Sequence, residues 1–185
     1  MGTPTKNNLI EAFLVLAKEQ KNLDFTVSEL CKKAGYTRAT FYRYFQTFDD
    51  VLRAINDDVH KECYTELTKF DLKDVNLDIL LDIILPALYK KREILRIIYR
   101  CGCEYQWTGL TLEKYWTWAK NFAIKASQNT GAKYPELFFS LQLKQIQSII
   151  YNWLLEDNVE KPKEVKARVT YFLSHSFIDL MDLPN

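Results

Sequence analysis

Glycine and proline are scarce in this sequence, with five of each among 185 residues. Because both residues interrupt helices and mark turns, their scarcity favours a mostly helical chain with short connections. The four cysteines are too few for a disulfide-stabilised scaffold and suit a reduced cytoplasmic interior. Since 48% of the residues are hydrophobic, we expect the chain to bury a substantial core rather than to be disordered.

Signals for export or membrane insertion are also missing. The first eight residues, MGTPTKNN, lack the apolar centre of a signal peptide. The most apolar runs are interrupted by Asp78, Asp82 and Asn152, so none is long enough to span a bilayer. We therefore expect a cytoplasmic protein without a membrane partner.

Sequence patterns of common enzyme classes do not occur either. The sequence has no glycine-rich phosphate loop, no HExxH and no GxSxG. Asp57, three residues before His60, is the single near match to the Glu-x-x-His pairs of di-iron bundles, and one pair does not make a site. Cys101 and Cys103 could bind a metal or sense an oxidant, but two ordinary cysteines are favoured because a zinc site needs two more ligands. We expect no enzyme activity, no metal, no cofactor, and a surface position for His60.

The charge of the chain is nearly balanced, with a formal net charge of +1. This value gives no overall attraction to nucleic acid, although a DNA-binding protein can carry its basic residues locally. Between Lys6 and Phe48 there are seven basic and four acidic residues. The local excess is modest, and it predicts a weak non-specific attraction to DNA.

Residues 26–45, TVSELCKKAGYTRATFYRYF, predict two short helices joined by a tight turn. Thr26 and Glu29 have the spacing of a capping box for the first helix. Gly35 follows that helix at the position where a chain leaves through positive φ. Thr37 is a good N-cap for the second helix, which we expect to begin at Arg38.

The second of these helices has two different faces. Phe41 and Phe45 are four residues apart, so they share one face and are expected to pack inward. The other side carries polar and basic residues together with one small residue, namely Ala39, Thr40, Tyr42 and Arg43, with Arg38 in the first turn. Such a helix is suited to enter a groove of DNA.

The run AGYTRATFYRYF, with TVSELCKK before it and DDVL after it, resembles the N-terminal domain of TetR-family transcriptional regulators. Together with upstream apolar residues such as Ile10 and Phe13, the resemblance covers roughly the first third of the chain. It implies an all-α protein with a helix-turn-helix DNA-binding domain at 1–48, a linking helix at 48–67, and a helical ligand-sensing and dimerisation domain at 68–185. It also implies a homodimer on a palindromic double-stranded DNA operator.

Two modes of control agree with this resemblance. The first is a repressor that a small-molecule effector releases from its operator. The second is a regulator of the same fold, possibly an activator, that a protein partner controls and that has no small-molecule pocket. The sequence does not identify the effector, the operator or the regulated genes.

Helical position divides the expected DNA contacts into two classes. Side chains that can reach base edges are those of Arg38, Ala39, Thr40 and Arg43. Hydroxyl groups and helix N-termini suit phosphate, and the candidates are Thr26, Thr37, Tyr42 and Tyr44, with a weaker bond from Thr47. Where similar regulators often have lysine, this chain has Gln46, Thr47 and Phe48, which predicts reduced affinity. Lys6 is a further candidate for a backbone contact.

Outside this region, helical spacing predicts several longer helices. The first should run from Lys6 to Lys21 and bury Ile10, Phe13, Leu14 and Ala17. A helix is expected at 110–129, and two more at Pro135–Glu156 and Pro162–Met181, which the resemblance implies form the dimer interface. Candidate effector-binding residues are the aromatic side chains of Tyr99, Trp107, Tyr115, Trp116 and Phe122, although aromatics at helical spacing equally suit a core.

Overall fold

The computed structural model describes residues 3–71, 74–116, 134–157 and 159–175. Within these residues the regular structure is entirely helical, which confirms the predicted all-α fold. Label α7 denotes the helical residues 104–116. The other helices are α1 (Pro4–Gln20), α2 (Val27–Ala34), α3 (Arg38–Tyr44), α4 (Phe48–Leu67), α5 (Leu77–Lys90), α6 (Arg92–Arg100), α8 (Pro135–Leu155) and α9 (Pro162–Ser174).

Helix α1 begins two residues earlier than predicted, because Thr3 caps it and Pro4 occupies its first turn. Its buried face is also rotated from the predicted one. Ile10 and Leu14 are only half-buried, and the fully buried set is Leu9, Ala12, Phe13, Leu16 and Ala17. Residues 9–17 are apolar at all but one position, so periodicity could not distinguish between two overlapping faces.

Aromatic rings hold the first helices together. The Phe13 ring lies edge-on to Phe25, at 5.4 Å between centroids, and to Phe48, at 5.5 Å. Phe41, from α3, packs edge-on to Phe48 at 6.1 Å and is completely buried together with Phe13. Edge-to-face aromatic pairs stabilise a fixed relative orientation, so this cluster fixes the position of α3 on α1 and α4.

The chain forms two compact units, Met1–Lys61 with Lys91–Thr111, and Glu62–Lys90 with Leu112–Asn185. In the first unit, α1 packs against both α2 and α6, and in the second unit α9 packs against α5 and α8. These units do not coincide with the division expected from the sequence, which placed residues 91–111 with the C-terminal region. The assignment of separate functions to 1–48, 48–67 and 68–185 stays a prediction.

His60 was predicted to lie on the surface, and this prediction is wrong. The side chain is only 4% exposed, and it lies within the first unit beside Trp107, with ring centroids 5.9 Å apart. The neighbouring Thr111 hydroxyl donates to the Trp107 carbonyl oxygen at 2.9 Å and accepts from Asn56 Nδ2 at 3.0 Å. Residues 91–111 cover this side of α4, a tertiary contact that the local pattern of α4 could not indicate.

The later helices agree only in part with the sequence: α7 begins at residue 104, six residues before the predicted 110, and α9 ends at Ser174, before the predicted Met181. Helix α8 spans nearly the predicted range, and α9 begins at the predicted Pro162. Helix α5 continues through Pro86. The predicted helices at 110–129 and Pro162–Met181 extend beyond the described residues. Among the described helices, none combines the length and the apolar character that crossing a membrane requires.

Candidate DNA-binding surface

The turn before α2 is fixed by a complete capping box. Glu29 N donates to Thr26 Oγ1 at 3.2 Å, and Thr26 N donates to Glu29 Oε2 at 2.7 Å. The backbone N–H of Thr26 also holds the pKa of Glu29 below its ordinary value, because it stabilises the carboxylate. Thr26 therefore has the predicted capping role, and its hydroxyl also donates to Glu29 Oε2 at 2.8 Å.

The turn between α2 and α3 has the predicted geometry. Gly35 ends α2 with φ of 74°, a left-handed conformation that glycine adopts without strain. Thr37 caps α3, since its Oγ1 accepts from Thr40 N at 3.2 Å. The hydroxyl groups of Thr37 and Thr40 also lie 3.0 Å apart. Both turns are therefore fixed by contacts between residues close in sequence.

Helix α3 separates its buried and exposed side chains as predicted. Phe41 and Phe45 are buried, with 0% and 3% of their surfaces exposed. Thr40 and Tyr44 are half-buried, and the exposed residues are Thr37, Arg38, Ala39, Tyr42 and Arg43. Arg38 is exposed, and among the described residues no side chain bonds to its guanidinium. The outer side of α3 can thus present one free cation and one small side chain to a flat or concave partner.

Arg43 and Tyr44 form a contact that sequence reasoning did not predict. Arg43 Nη2 donates to Tyr44 Oη at 3.4 Å, and the guanidinium carbon lies 5.1 Å from the centre of the Tyr44 ring. A hydrogen bond from Thr3 lowers the pKa of the Tyr44 phenol, and Arg43 lowers it further. Tyr44 therefore partly orients Arg43.

The backbone N–H groups at the start of α4 are bound by a carboxylate of the same helix, that of Asp50. Asp50 Oδ2 accepts from Gln46 N at 2.7 Å and from Thr47 N at 3.0 Å. These bonds, led by the one from Thr47, hold the pKa of Asp50 below its ordinary value. A phosphate at this helix end would meet a carboxylate already bound to the N–H groups. The sequence showed the absence of lysines here but did not show this bond.

Lys6 lies beside the same surface but contacts protein as well. Its ammonium nitrogen is 5.5 Å from the centre of the Phe45 ring, within reach of a cation–π attraction. Asn8, on the same helix, donates from Nδ2 to Tyr36 Oη at 3.1 Å, which ties α1 to the turn before α3. The first turns of α1 therefore take part in positioning α3, a role that the sequence pattern did not reveal.

Substitution of Thr37 tests the cap of α3. Thr37→Ala should lower the free energy of unfolding by about 1 kcal/mol, because the N–H of Thr40 loses its acceptor. Thr37→Ser is the matched control, since serine keeps the hydroxyl and should keep most of the stability. Urea unfolding followed by circular dichroism measures both variants. Equal unfolding midpoints for the alanine and serine proteins would show that the cap does not stabilise the fold.

The range of the chain that contains the capped helix pair matches a known protein family. A family model described as "Bacterial regulatory proteins, tetR family" matches residues 18–55, the range that contains α2, α3 and the start of α4. This match supports a TetR-family regulator. A comparison with curated proteins finds no match. The TetR-family match identifies the capped helix pair as the helix-turn-helix of a DNA-binding transcription regulator.

The predicted effector residues fall in two different units. Tyr99 is half-buried on α6 in the first unit, where Trp107 is 2% exposed. Tyr115 and Trp116 lie in the second unit, the former buried and the latter half-buried. Burial raises the pKa of the Tyr115 phenol, which is hydrogen-bonded to Cys63. Phe122 lies outside the described residues, and the assignment of all five stays a prediction.

The second unit also contains an open groove between α5 and α9, with a volume of about 1040 Å³. Lys166 lies at this groove, with Nζ at 2.7 Å from Asp82 Oδ1 and 2.9 Å from Asp78 Oδ1. Hydrogen bonds to the two carboxylates raise the pKa of Lys166, and the bond to Asp82 has the larger effect. The described effector candidates do not line the groove. In the described part of the chain, no group of three or more His, Cys, Asp or Glu could hold a metal ion.

Proposed function

We propose that this regulator is a homodimer that reads a palindromic operator with α3, and that it represses transcription in the cytoplasm until an effector releases it. The observation that carries the proposal is the outer side of α3. It presents Arg38, exposed and without an intramolecular partner among the described residues, next to exposed Ala39. Arginine can donate two bonds to guanine O6 and N7, and alanine can contact a thymine methyl group.

The remaining proposed contacts follow the exposure of α3 and its flanks. Arg43 and half-buried Thr40 supply further base contacts, and Tyr42, 41% exposed, reaches toward phosphate. Thr37 and Tyr44 are proposed to bind phosphate while they also hold α3 in place. Thr26 and Thr47 are weaker candidates, because Glu29 and Asp50 place a carboxylate beside each of them.

The proposal of a homodimer is supported by an apolar surface on α8 and α9. Leu137 and Leu141 are 59% and 53% exposed, and their spacing of four residues places them on one side of α8. Tyr171 and Phe172 of α9 are each 43% exposed. Gln145, one turn after Leu141, donates from Nε2 to the Phe172 carbonyl oxygen at 3.0 Å, so the two exposed sets are neighbours. We call these four side chains the apolar patch.

Dimerisation would allow the protein to bind two half-sites of one operator. A two-fold pair places two recognition helices about 34–36 Å apart, which matches successive major grooves on one side of DNA. Exposed apolar patches of this kind commonly mark contacts with another protein surface. A second copy of the chain provides an identical patch, as a two-fold interface requires.

Effector control needs a difference in affinity. A small molecule can release the operator only if it binds the conformation with the wrong spacing of recognition helices more tightly than the DNA-binding one. Binding that raises the melting temperature and lowers operator affinity in the same concentration range would identify such an effector. A protein partner would produce the second change without any small molecule.

Selection of duplexes from a random pool tests the function directly. We expect enrichment of a palindrome whose half-sites lie about 10–10.5 base pairs apart, or a multiple of that distance. The selected duplex should then bind in a mobility-shift titration with affinity that falls as salt rises. Failure to enrich any duplex at low salt would contradict DNA binding, and an asymmetric single site would contradict the dimer.

A further inference from the structure

Two cysteines that the DNA-binding site does not use lie in contact inside the first unit. Cys101 Sγ and Cys103 Sγ are 3.5 Å apart, and the side chains are 6% and 2% exposed. Gly102, between them, has φ of 78°, a left-handed conformation that turns the backbone at this point. The two thiols are therefore in contact in the native fold.

The environment gives the two thiols different chemistry. The contact with Cys103 lowers the pKa of Cys101. The Cys101 thiol lies within donating distance of Ile98 O, at 3.1 Å, and of Cys103 Sγ, at 3.5 Å. The pKa of Cys103 is raised by its partner sulfur and by burial. A thiolate is the nucleophile in thiol oxidation. Cys101 is therefore expected to react first with an oxidant, and Cys103, which is in contact with it, is expected to react with the oxidised Cys101.

We propose that Cys101 and Cys103 form a redox-reactive dithiol, and that its oxidation to an intramolecular disulfide by a peroxide weakens operator binding. The Cys101 thiolate attacks one peroxide oxygen, forms a sulfenic acid and releases hydroxide. The Cys103 sulfur then attacks the sulfenic sulfur, the S–O bond breaks, and water leaves as the disulfide forms. In total, two thiols and one hydrogen peroxide give one disulfide and two waters. The second half of the proposal rests on the DNA-binding function proposed above.

The position of the pair connects it to the DNA-binding helices. Cys101 N donates to Ile97 O at 3.1 Å and closes α6, which packs against α1. Cys103 O accepts from Trp107 N at 2.9 Å in the first turn of α7. Asp49, in the first turn of α4, acts on Cys103 electrostatically. A disulfide requires the sulfurs to approach to about 2.05 Å, so its formation shifts helix ends that pack within the DNA-binding unit.

The other two cysteines provide an internal comparison. Cys31 and Cys63 are both buried, and neither contacts another thiol among the four described cysteines. Burial raises the pKa of Cys31 and raises that of Cys63 to about 11. Both should therefore react slowly with peroxide. The proposal predicts that oxidation is confined to one pair out of four thiols.

Tryptic mapping of the full-length protein after peroxide treatment tests the chemistry. Cleavage after Arg100 and Lys114 places Cys101 and Cys103 together in peptide 101–114, whereas Cys31 and Cys63 fall in 22–32 and 62–69. After treatment and alkylation, peptide 101–114 should carry no alkyl groups and have lost two hydrogens. The peptides with Cys31 and Cys63 should be fully alkylated. Dithiothreitol should restore alkylation of peptide 101–114.

Operator titration with the same samples tests the regulatory step. Oxidised protein should bind the selected operator about tenfold more weakly or worse, a coupling of the size usual between two sites, and dithiothreitol should reverse the loss. Cys101→Ser and Cys103→Ser should keep their affinity in peroxide. Cys63→Ala, the control, should respond like the wild type.

Two results would overturn the proposal. One is a peptide 101–114 that keeps both thiols while peroxide oxidises other residues. The other is a complete disulfide that leaves operator affinity unchanged. These outcomes differ from failure of the proposed function, in which reduced protein binds no duplex. Peptide mapping still decides the dithiol chemistry in that case, and it does so in wild-type protein even if a serine variant folds poorly.

Discussion

Arg38→Ala protein should select a motif that has lost its preference at one position of each half-site, while the other positions are unchanged. Arg38 lies in the first turn of α3, is exposed, and bonds to no other described side chain. The hydrogen-bond donors of its guanidinium are therefore available for contacts with DNA. Removal of a bidentate contact to guanine should cost about 1–3 kcal/mol of discrimination against the other bases at that position.

Lys32→Ala is the matched control for this experiment. Lys32 is also exposed, lies on α2, and carries the same charge as Arg38. Loss of a cation that only attracts phosphate should weaken binding by a similar factor on every sequence and leave the motif intact. Equal effects of the two variants on the motif would mean that charge, rather than base reading, explains the role of Arg38. An unchanged motif with Arg38→Ala would remove it from the base contacts.

The helix-turn-helix could be predicted in detail because local contacts determine it. The capping box of Thr26 and Glu29, the left-handed Gly35 and the Thr37 cap each involve residues within a few positions of one another. The separation of Phe41 and Phe45 from the exposed side of α3 follows from helical periodicity alone. Residue types at fixed spacing therefore carry nearly all the information that this part of the fold needs.

Features that depend on distant residues could not be predicted in this way. His60 is buried because residues 91–111 pack in the same unit as residues 48–61 of α4, and nothing in the α4 sequence records that contact. Thr3, at the other end of the DNA-binding region, lowers the pKa of the Tyr44 phenol. Both the assignment of free DNA contacts and the location of an effector site depend on such tertiary contacts.

The contact between Cys101 and Cys103 is another feature that depends on the fold and not on local sequence pattern. The sequence reveals that Cys101 and Cys103 are two residues apart, but this spacing does not determine whether the sulfurs meet. The turn at Gly102 and the burial of both side chains bring them into contact. Two cysteines for which the sequence provided no reason to pair are therefore placed by the fold where a disulfide could form between them.

Leu141→Glu should convert the proposed dimer to a monomer and lower affinity for the two-half-site operator by about a hundredfold. Leu141 lies in the apolar patch, where an unpaired carboxylate buried by a second copy would be strongly unfavourable. Since Leu141 is 53% exposed in the single chain, the substitution should leave the fold intact. Sedimentation equilibrium measures the dimer, and titrations with one and two half-sites measure the loss of linkage.

Tyr105→Glu is the control, because Tyr105 is 89% exposed and lies outside α8 and α9. It introduces the same charge at a more exposed aromatic residue and should leave the dimer unaffected. The two titrations separate two causes of weak binding. Loss of the dimer should reduce affinity for the two-half-site duplex while affinity for a single half-site stays constant, because each α3 is unchanged. Equal losses on both duplexes would instead indicate damage to the DNA-binding unit, and a Leu141→Glu protein that remains dimeric would place the interface elsewhere.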